Sequence, residues 1–254
     1  VTGEALCQLL QQEGVPFHAQ PIAGDTRESF VVHENASQQE FRFVLPGPTL
    51  SEAEWQGSLS HIRHQSAGAQ VLVVSGSLPP GVPDDFLVRL ATLAAQQQLR
   101  LVLDSSGIPL ARLMASTDVP GAWLIKPSLR ELSELAGRPL DTEADQLAAC
   151  RKLIESGRVQ MVALSLGGDG AMLITPRQAW RAAALTVPVA STVGAGDSFL
   201  AGLLWSLSSQ PAQTERAFRY AMAAGAAALL TPGTALCQPA DVERLVKQVQ
   251  LQPC

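Results

Sequence analysis

Residues 191–205 read Ser191-Thr192-Val193-Gly194-Ala195-Gly196-Asp197-Ser198-Phe199-Leu200-Ala201-Gly202-Leu203-Leu204-Trp205. A proline-flanked segment, Val187-Pro188-Val189-Ala190, leads in, and an apolar run leads out. The stretch therefore predicts a glycine-rich loop opening a buried helix. Such a loop exposes backbone N–H groups, and the start of the helix adds the positive end of its dipole. The two together suit an anion, phosphate above all. Gly194 and Gly196 are expected to take positive φ and let the backbone approach a ligand. Asp197 falls in the first turn, beside that anion hole. A carboxylate facing a phosphate repels it unless a hydroxyl stands between them to be deprotonated, which is the arrangement of a base in phosphoryl transfer. A helix N-cap role for Asp197 or Ser198 explains the same residues more plainly, and short glycine motifs recur often.

Outward from this loop the chain alternates strand and helix. Val71-Leu72-Val73-Val74, Leu101-Val102-Leu103, Trp123-Leu124-Ile125 and Met161-Val162-Ala163-Leu164 are short apolar runs. Wholly apolar runs predict strands covered on both faces. A helix is expected from about Asp84 to Gln98, and Lys126-Pro127 precedes another. Residues 171–174 and 179–182 predict antiparallel additions, and the C-terminal third predicts mostly helix. This alternation implies an α/β fold, with a mostly parallel sheet between helices. Ligands in such sheets bind beyond the carboxyl ends of the strands. The small polar segments Ser75-Gly76-Ser77, Asp104-Ser105-Ser106-Gly107, Lys126-Pro127-Ser128 and Ser165-Leu166-Gly167 fall there.

Ahead of the alternating region, a helix is expected to begin near Thr2-Gly3-Glu4. A short strand is expected at Val15-Pro16-Phe17-His18. A hairpin is expected from residues 29–33 and 40–44 around Asn35-Ala36-Ser37. The hairpin strands are sparse in apolar residues on one face and are expected to cover something rather than fill a core.

Composition narrows the function classes. The chain of 254 residues is 46% apolar and 16% charged, with a formal charge of −5 and no basic block. It is globular, and neither a nucleic-acid groove nor an anionic membrane surface suits its charge. The longest membrane candidate, residues 221–230, is too short to span. Cys7, Cys150, Cys237 and Cys254 lack metal-ligand spacing and are scattered, as in a reduced cytoplasmic protein. His61 and His64, spaced i,i+3, could pair on a metal but lack a nearby third ligand.

Taken together, these segments resemble the ribokinase-like sugar kinases of the phosphofructokinase B type, over essentially the whole chain. Residues 191–198 resemble that family's glycine-rich signature. Lys126-Pro127-Ser128-Leu129-Arg130-Glu131 resembles its Asn-x-x-Glu segment, and Ser165-Leu166-Gly167-Gly168-Asp169-Gly170-Ala171 its nucleotide-side loop. Ser75-Gly76-Ser77-Leu78-Pro79-Pro80-Gly81 resembles the branch acting on phosphorylated ketohexoses. Thr26-Arg27, residues 41–47 and residues 231–237 are most similar to the minor 6-phosphofructokinases. The resemblance implies a three-layer sandwich with a small β-sheet lid, in one domain over 1–254 with 27–46 contributing lid strands. The family's opening strand, substrate-binding aspartate, Gly-Gly loop, asparagine-bearing helix and two lid strands have no counterpart here. The lid is therefore expected to be incomplete, and either the chain is a piece of a longer protein or its start is unrecorded.

The activity implied is ATP-dependent phosphorylation of a ketohexose phosphate, with fructose 6-phosphate going to fructose 1,6-bisphosphate. Tagatose 6-phosphate or fructose 1-phosphate as substrate is the alternative, and a truncated nucleotide-binding chain without turnover is the alternative of another class. By resemblance Asp197 is the general base, in the ionised form that a helix start favours. Gly194, Ala195 and Gly196 supply N–H groups to the transferred phosphoryl. Arg27 and Arg42, on the lid, and Ser77 bind the sugar phosphate. A guanidinium matches phosphate with paired donors, and lid closure would exclude water. Solvated strand arginines and a turn serine are the plainer readings.

Lys126, Ser128, Ser165, Gly167, Gly170, Thr192, Gly194, Gly196 and Gly225 are expected around ATP, and Glu131 at Mg²⁺ through water. Ser128 stands where the family has asparagine. Ser128 to Glu131 also forms a capping-box pattern, and Gly225 with Ala226 also suits tight helix packing. The family's pairing through the lid implies a homodimer.

Overall fold

We describe the protein from a computed structural model that covers residues 2–34 and 39–254, apart from the side chains of His33, Gln39, Glu40 and Arg42. The chain divides into two compact units. One holds Val1–Ala69 with Ser77–Phe86, the other Gln70–Gly76 with Leu87–Cys254.

The first unit contains α1 (Thr2–Gln12), a hairpin of β1 (Ser29–Glu34) and β2 (Gln39–Val44), and α2 (Glu52–Gln65). The expected hairpin is present, while its expected turn at 35–37 lies outside the described residues. Pairing Phe30 with Phe43 and Val32 with Phe41 gathers four apolar side chains on one face. All four are close to half exposed, and the Phe30 and Phe43 rings stack at 4.9 Å.

Residues 15–18 form no strand. Pro16 has no N–H to give a ladder, and the nearby chain is tied to α2 instead. Gln20 Nε2 donates to the Glu54 carbonyl oxygen, and the Ala23 N–H to the Glu54 carboxylate. Helix α2 starts in a capping box between Ser51 and Glu54. The Ser51 N–H, the Ser51 hydroxyl and the Ala23 N–H hold the Glu54 carboxyl below its ordinary value.

The second unit follows the alternation. Its elements are β3 (Val71–Ser75), α3 (Phe86–Gln96, its first residue grouped with the other unit), β4 (Arg100–Asp104), α4 (Gly107–Ala115), β5 (Ala122–Ile125), α5 (Leu129–Ala136), α6 (Glu143–Glu155), β6 (Val159–Ser165), β7 (Ala171–Ile174), β8 (Ala179–Ala182), α7 (Ala195–Ser209), α8 (Thr214–Ala228), α9 (Pro239–Leu245) and β9 (Leu251–Pro253). They form a seven-stranded sheet in the order β3-β4-β5-β6-β7-β8-β9. The strands from β3 to β6 run parallel, and β7, β8 and β9 add antiparallel.

Two expectations change. β3 heads the strand order and is not buried on both faces: none of its residues is fully buried, and Val73 is 43% exposed. β9, at three residues, is too short to show an alternating pattern and was not expected.

Side chains alternate across the sheet. Val102, Leu124, Met161, Ala163 and Leu173 pack with α7, α8 and α9 on one face. Leu103, Ile125, Val162, Leu164 and Met172 point the other way and are fully buried. Helices α5 and α6 lie against β6 on that side. This is the three-layer α/β arrangement expected.

Helices α7 and α8 approach closely because both carry small residues. A Cβ on Gly202 would lie 2.7 Å from the Tyr220 carbonyl oxygen. Gly225 belongs to the same seam: its Cβ would stand 3.3 Å from both the Ala195 carbonyl oxygen and Phe199 Cβ, so helix packing alone accounts for glycine there.

Candidate active site

The parallel register brings four strand ends to one edge of the sheet. Ser75 closes β3 and Asp104 closes β4; Lys126 follows β5 and Ser165 closes β6. Their backbones are cross-linked. The Gly76 N–H donates to the Asp104 carbonyl oxygen at 2.8 Å, the Lys126 N–H to that of Leu103 at 2.9 Å, and the Ser165 N–H to that of Pro127 at 3.0 Å.

Helix α7 begins at this edge. Its N-cap is Gly194, in the left-handed region at φ 77°, and among the described residues no side chain caps it. Neither Asp197 nor Ser198 is therefore the N-cap. Asp197 is the third helical residue, exposed, with Oδ1 accepting from Ser75 Oγ at 3.3 Å. Ser191 Oγ, from a buried side chain, accepts from the Val193 N–H at 3.2 Å and shapes the approach to Gly194. Gly194 needs its glycine because an L side chain in that region costs roughly 1–2 kcal/mol. Gly196 does not have the expected positive φ, since it lies within α7. What it provides is room: a Cβ there would stand 3.4 Å from Lys126 Nζ.

Lys126 is only 9% exposed, and its ammonium pairs with Asp104 Oδ1 at 3.0 Å. Burial pushes the Asp104 carboxyl above its ordinary value; Lys126 opposes the rise, and the charges of Asp197 and Glu131 add to it. Sequence reading noted Asp104 only as one of several polar strand ends. The register gives the signal that finds it: Leu103 pairs with Ile125, so the residues that follow each stand side by side.

Helix α5 begins with the capping box written into its sequence. Ser128 Oγ accepts from the Glu131 N–H at 3.3 Å, and Glu131 Oε2 accepts from the Ser128 N–H at 2.8 Å. Ser128 also bridges to Ser165. Gly167 opens a short 3-10 turn that Gly170 follows, and the Leu166 N–H donates to the Gly170 carbonyl oxygen across it. Thr192 is exposed two residues before the N-cap of α7.

Arg27 and Ser77 are exposed residues of the first unit, with Arg27 packed beside Gly47. The Arg42 backbone pairs with Val31 in the hairpin, and its side chain lies outside the described residues. Among the described residues no cluster of three or more His, Cys, Asp or Glu side chains is able to hold a metal ion, and no helix is long and apolar enough to cross a membrane. A cavity of about 520 Å³ lined by Arg151, Thr175, Trp180 and Cys254 contains none of the residues above.

The chain is 44% identical over 243 residues to the ATP-dependent 6-phosphofructokinase isozyme 2 of Mycobacterium tuberculosis, a match spanning 96% of this chain and 70% of that protein. It is 34% identical over 215 residues to the 1-phosphofructokinase of Xanthomonas campestris, across 85% of this chain and 67% of the relative. Among solved structures, phosphofructokinase-2 from Escherichia coli in complex with potassium superposes with a TM-score of 0.88 at 35% identity, covering 98% of this chain and 79% of that one. The profile described as pfkB family carbohydrate kinase matches residues 1–241. The sequence resemblance, the sheet order and these matches agree, and the chain belongs to the pfkB family of carbohydrate kinases.

Proposed function

We propose that this chain transfers the γ-phosphoryl group of ATP to a hydroxyl of a ketohexose phosphate, with fructose 6-phosphate as acceptor and fructose 1,6-bisphosphate as product. The observation that carries the reading is the first turn of α7. There an exposed carboxylate, Asp197, shares one helix start with N–H groups that no side chain caps among the described residues and with the adjacent Lys126 ammonium. An anion receptor beside a base is what in-line transfer to a hydroxyl needs.

In this reading Asp197 accepts the acceptor hydroxyl's proton, and Ser75 orients it from β3. A weak base suffices because the transition state is loose and the proton departs late. The N–H groups of Gly194, Ala195 and Gly196 meet the charge developing on the phosphoryl oxygens. Lys126, Ser128, Ser165, Gly167, Gly170 and Thr192 surround the nucleotide. Arg27, Arg42 and Ser77 hold the sugar phosphate, an assignment that rests on the resemblance alone. The hairpin serves as part of a lid.

The donor chemistry fits Mg²⁺. Glu131 offers a hard oxygen, its Oε2 engaged by the Ser128 N–H and its other oxygen open among the described residues. A Mg²⁺ ion held by one carboxylate completes its shell with water and nucleotide phosphates. When bound, it neutralises charge on the phosphates. The half-exposed apolar face of Phe30, Val32, Phe41 and Phe43 supports pairing with a second copy. Four cysteines without a disulfide suit a reducing cytoplasm.

A coupled assay tests the reading, with ATP against fructose 6-phosphate, tagatose 6-phosphate and fructose 1-phosphate. Fructose 6-phosphate is expected to give the highest kcat/KM. The match to a relative named 1-phosphofructokinase makes fructose 1-phosphate the competitor, and its winning would reassign the substrate.

A further inference from the structure

Lysine is a flexible point charge on a four-carbon stem, so its partner decides where the ammonium sits. At the sheet edge Lys126 stands where a cation is least welcome. Its Nζ lies over the N-terminal turn of α7, within 3.4 Å of the place a Gly196 Cβ would occupy, and a helix start already carries positive charge. It is also almost wholly removed from water, and buried charges are held by paired partners. Among the described residues its ion-pair partner is the Asp104 carboxylate, at 3.0 Å. Asp104 is itself partly desolvated and shares the edge with the acidic Asp197 and Glu131.

We propose that Asp104 is a positioning residue that holds the Lys126 ammonium at the start of α7, so that ammonium and helix N–H groups form a single phosphate receptor. Asp104 touches neither nucleotide nor sugar in this assignment. It acts through Lys126, and the role rests on the phosphotransfer reading above. Without Asp104 the ammonium turns away from the helix start, and the receptor loses one of its two positive elements. The opposite result is physically reasonable too: were Asp104 only a nearby negative charge, neutralising it would tighten the binding of any anion.

The test is a double-mutant cycle on the full chain, reading ADP affinity by calorimetry and, in parallel, kcat/KM for ATP. Asp104→Asn is expected to weaken ADP binding about tenfold, and Lys126→Met by about ten- to a hundredfold, the span for a hydrogen bond to a charged group. The double variant is expected to match Lys126→Met alone, because a residue that acts through another adds nothing once that other is gone. Asp104→Ser takes the same place in the cycle if the asparagine variant fails to fold. Additive losses, unchanged affinity in Asp104→Asn, or tighter ADP binding would each overturn the assignment. A wild-type chain that binds ADP but turns over no sugar phosphate would overturn the phosphotransfer reading instead, and the ADP cycle would still decide the role of Asp104.

Discussion

Glu131 caps α5, and the proposed function gives it a second role at Mg²⁺; two substitutions separate the two. In the capping box its Oε2 accepts from the Ser128 N–H at 2.8 Å while its own N–H donates to Ser128 Oγ at 3.3 Å. Glutamine at this position keeps both bonds, since it serves the box as glutamate does. Glu131→Gln therefore loses only the attraction of a charge for the helix start, about 0.3–1 kcal/mol. For a chain of this size that lowers Tm by about 1–4 °C. Glu131→Ala loses the side-chain bond as well, another 1 kcal/mol or so, and the drop grows to about 3–8 °C. As the Mg²⁺ residue, by contrast, the carboxylate is lost equally in both. At limiting Mg²⁺ each variant is expected to lose about 100-fold in kcat/KM, roughly 2.7 kcal/mol of transition-state stabilisation. Calorimetric melting and a coupled assay across a Mg²⁺ series read the two effects separately. If Glu131→Gln kept wild-type kcat/KM at every Mg²⁺ concentration, the carboxylate would be a cap and nothing more. If it melted with Glu131→Ala, the box would not be what holds α5.

Other expectations follow from the same geometry. Asp197→Asn preserves shape and removes the base, so kcat should fall by about 10²–10⁴-fold with the KM for sugar phosphate little changed; a fall confined to KM would remove Asp197 from the proton transfer. Burial pushes the Cys150 thiol up to about 12, so at pH 8 about one in 10⁴ is thiolate and iodoacetamide should spare it in native protein. Mass mapping that found Cys150 labelled ahead of the less buried Cys7 and Cys237 would contradict its burial. The sign for stability is also set: the unfolded chain ionises this thiol near its ordinary 9.0 and the folded chain does not, so its contribution is present below pH 9 and declines above it. Phe43→Glu, on the exposed hairpin face, should convert a dimer to monomer in light scattering; a wild-type monomer would refute the pairing.

Several elements were legible because each depends on neighbours in sequence. The apolar runs of β4, β5 and β6, the Ser128 capping box, the antiparallel β7 and β8, and the loop that opens α7 are set by local pattern and local hydrogen bonds. The failures share a different cause. Val71-Leu72-Val73-Val74 has the composition of a central strand, yet it stands at the end of the strand order and Val73 is exposed, neither of which four residues can tell. Residues 15–18 have strand-like composition, but their neighbours bond to α2. β9 exists because β8 offers it a ladder.

At the site the division is the same. Sequence alone determined that a glycine loop opens a helix with Asp197 in its first turn, that small polar residues close successive strands, and that Ser128 and Glu131 begin a helix; the expected burial of the helix that Asp197 begins holds for one face only, since Trp205 is 54% exposed. These follow from dihedral preference, side-chain periodicity and bonds spanning three or four residues. Only the tertiary structure decided that Gly194 is the cap, that Gly196 makes room for an ammonium, and that Asp104 faces Lys126 while Ser75 reaches Asp197. Those relations depend on which strands lie side by side and in what register, and sheet packing sets that between segments far apart in the chain.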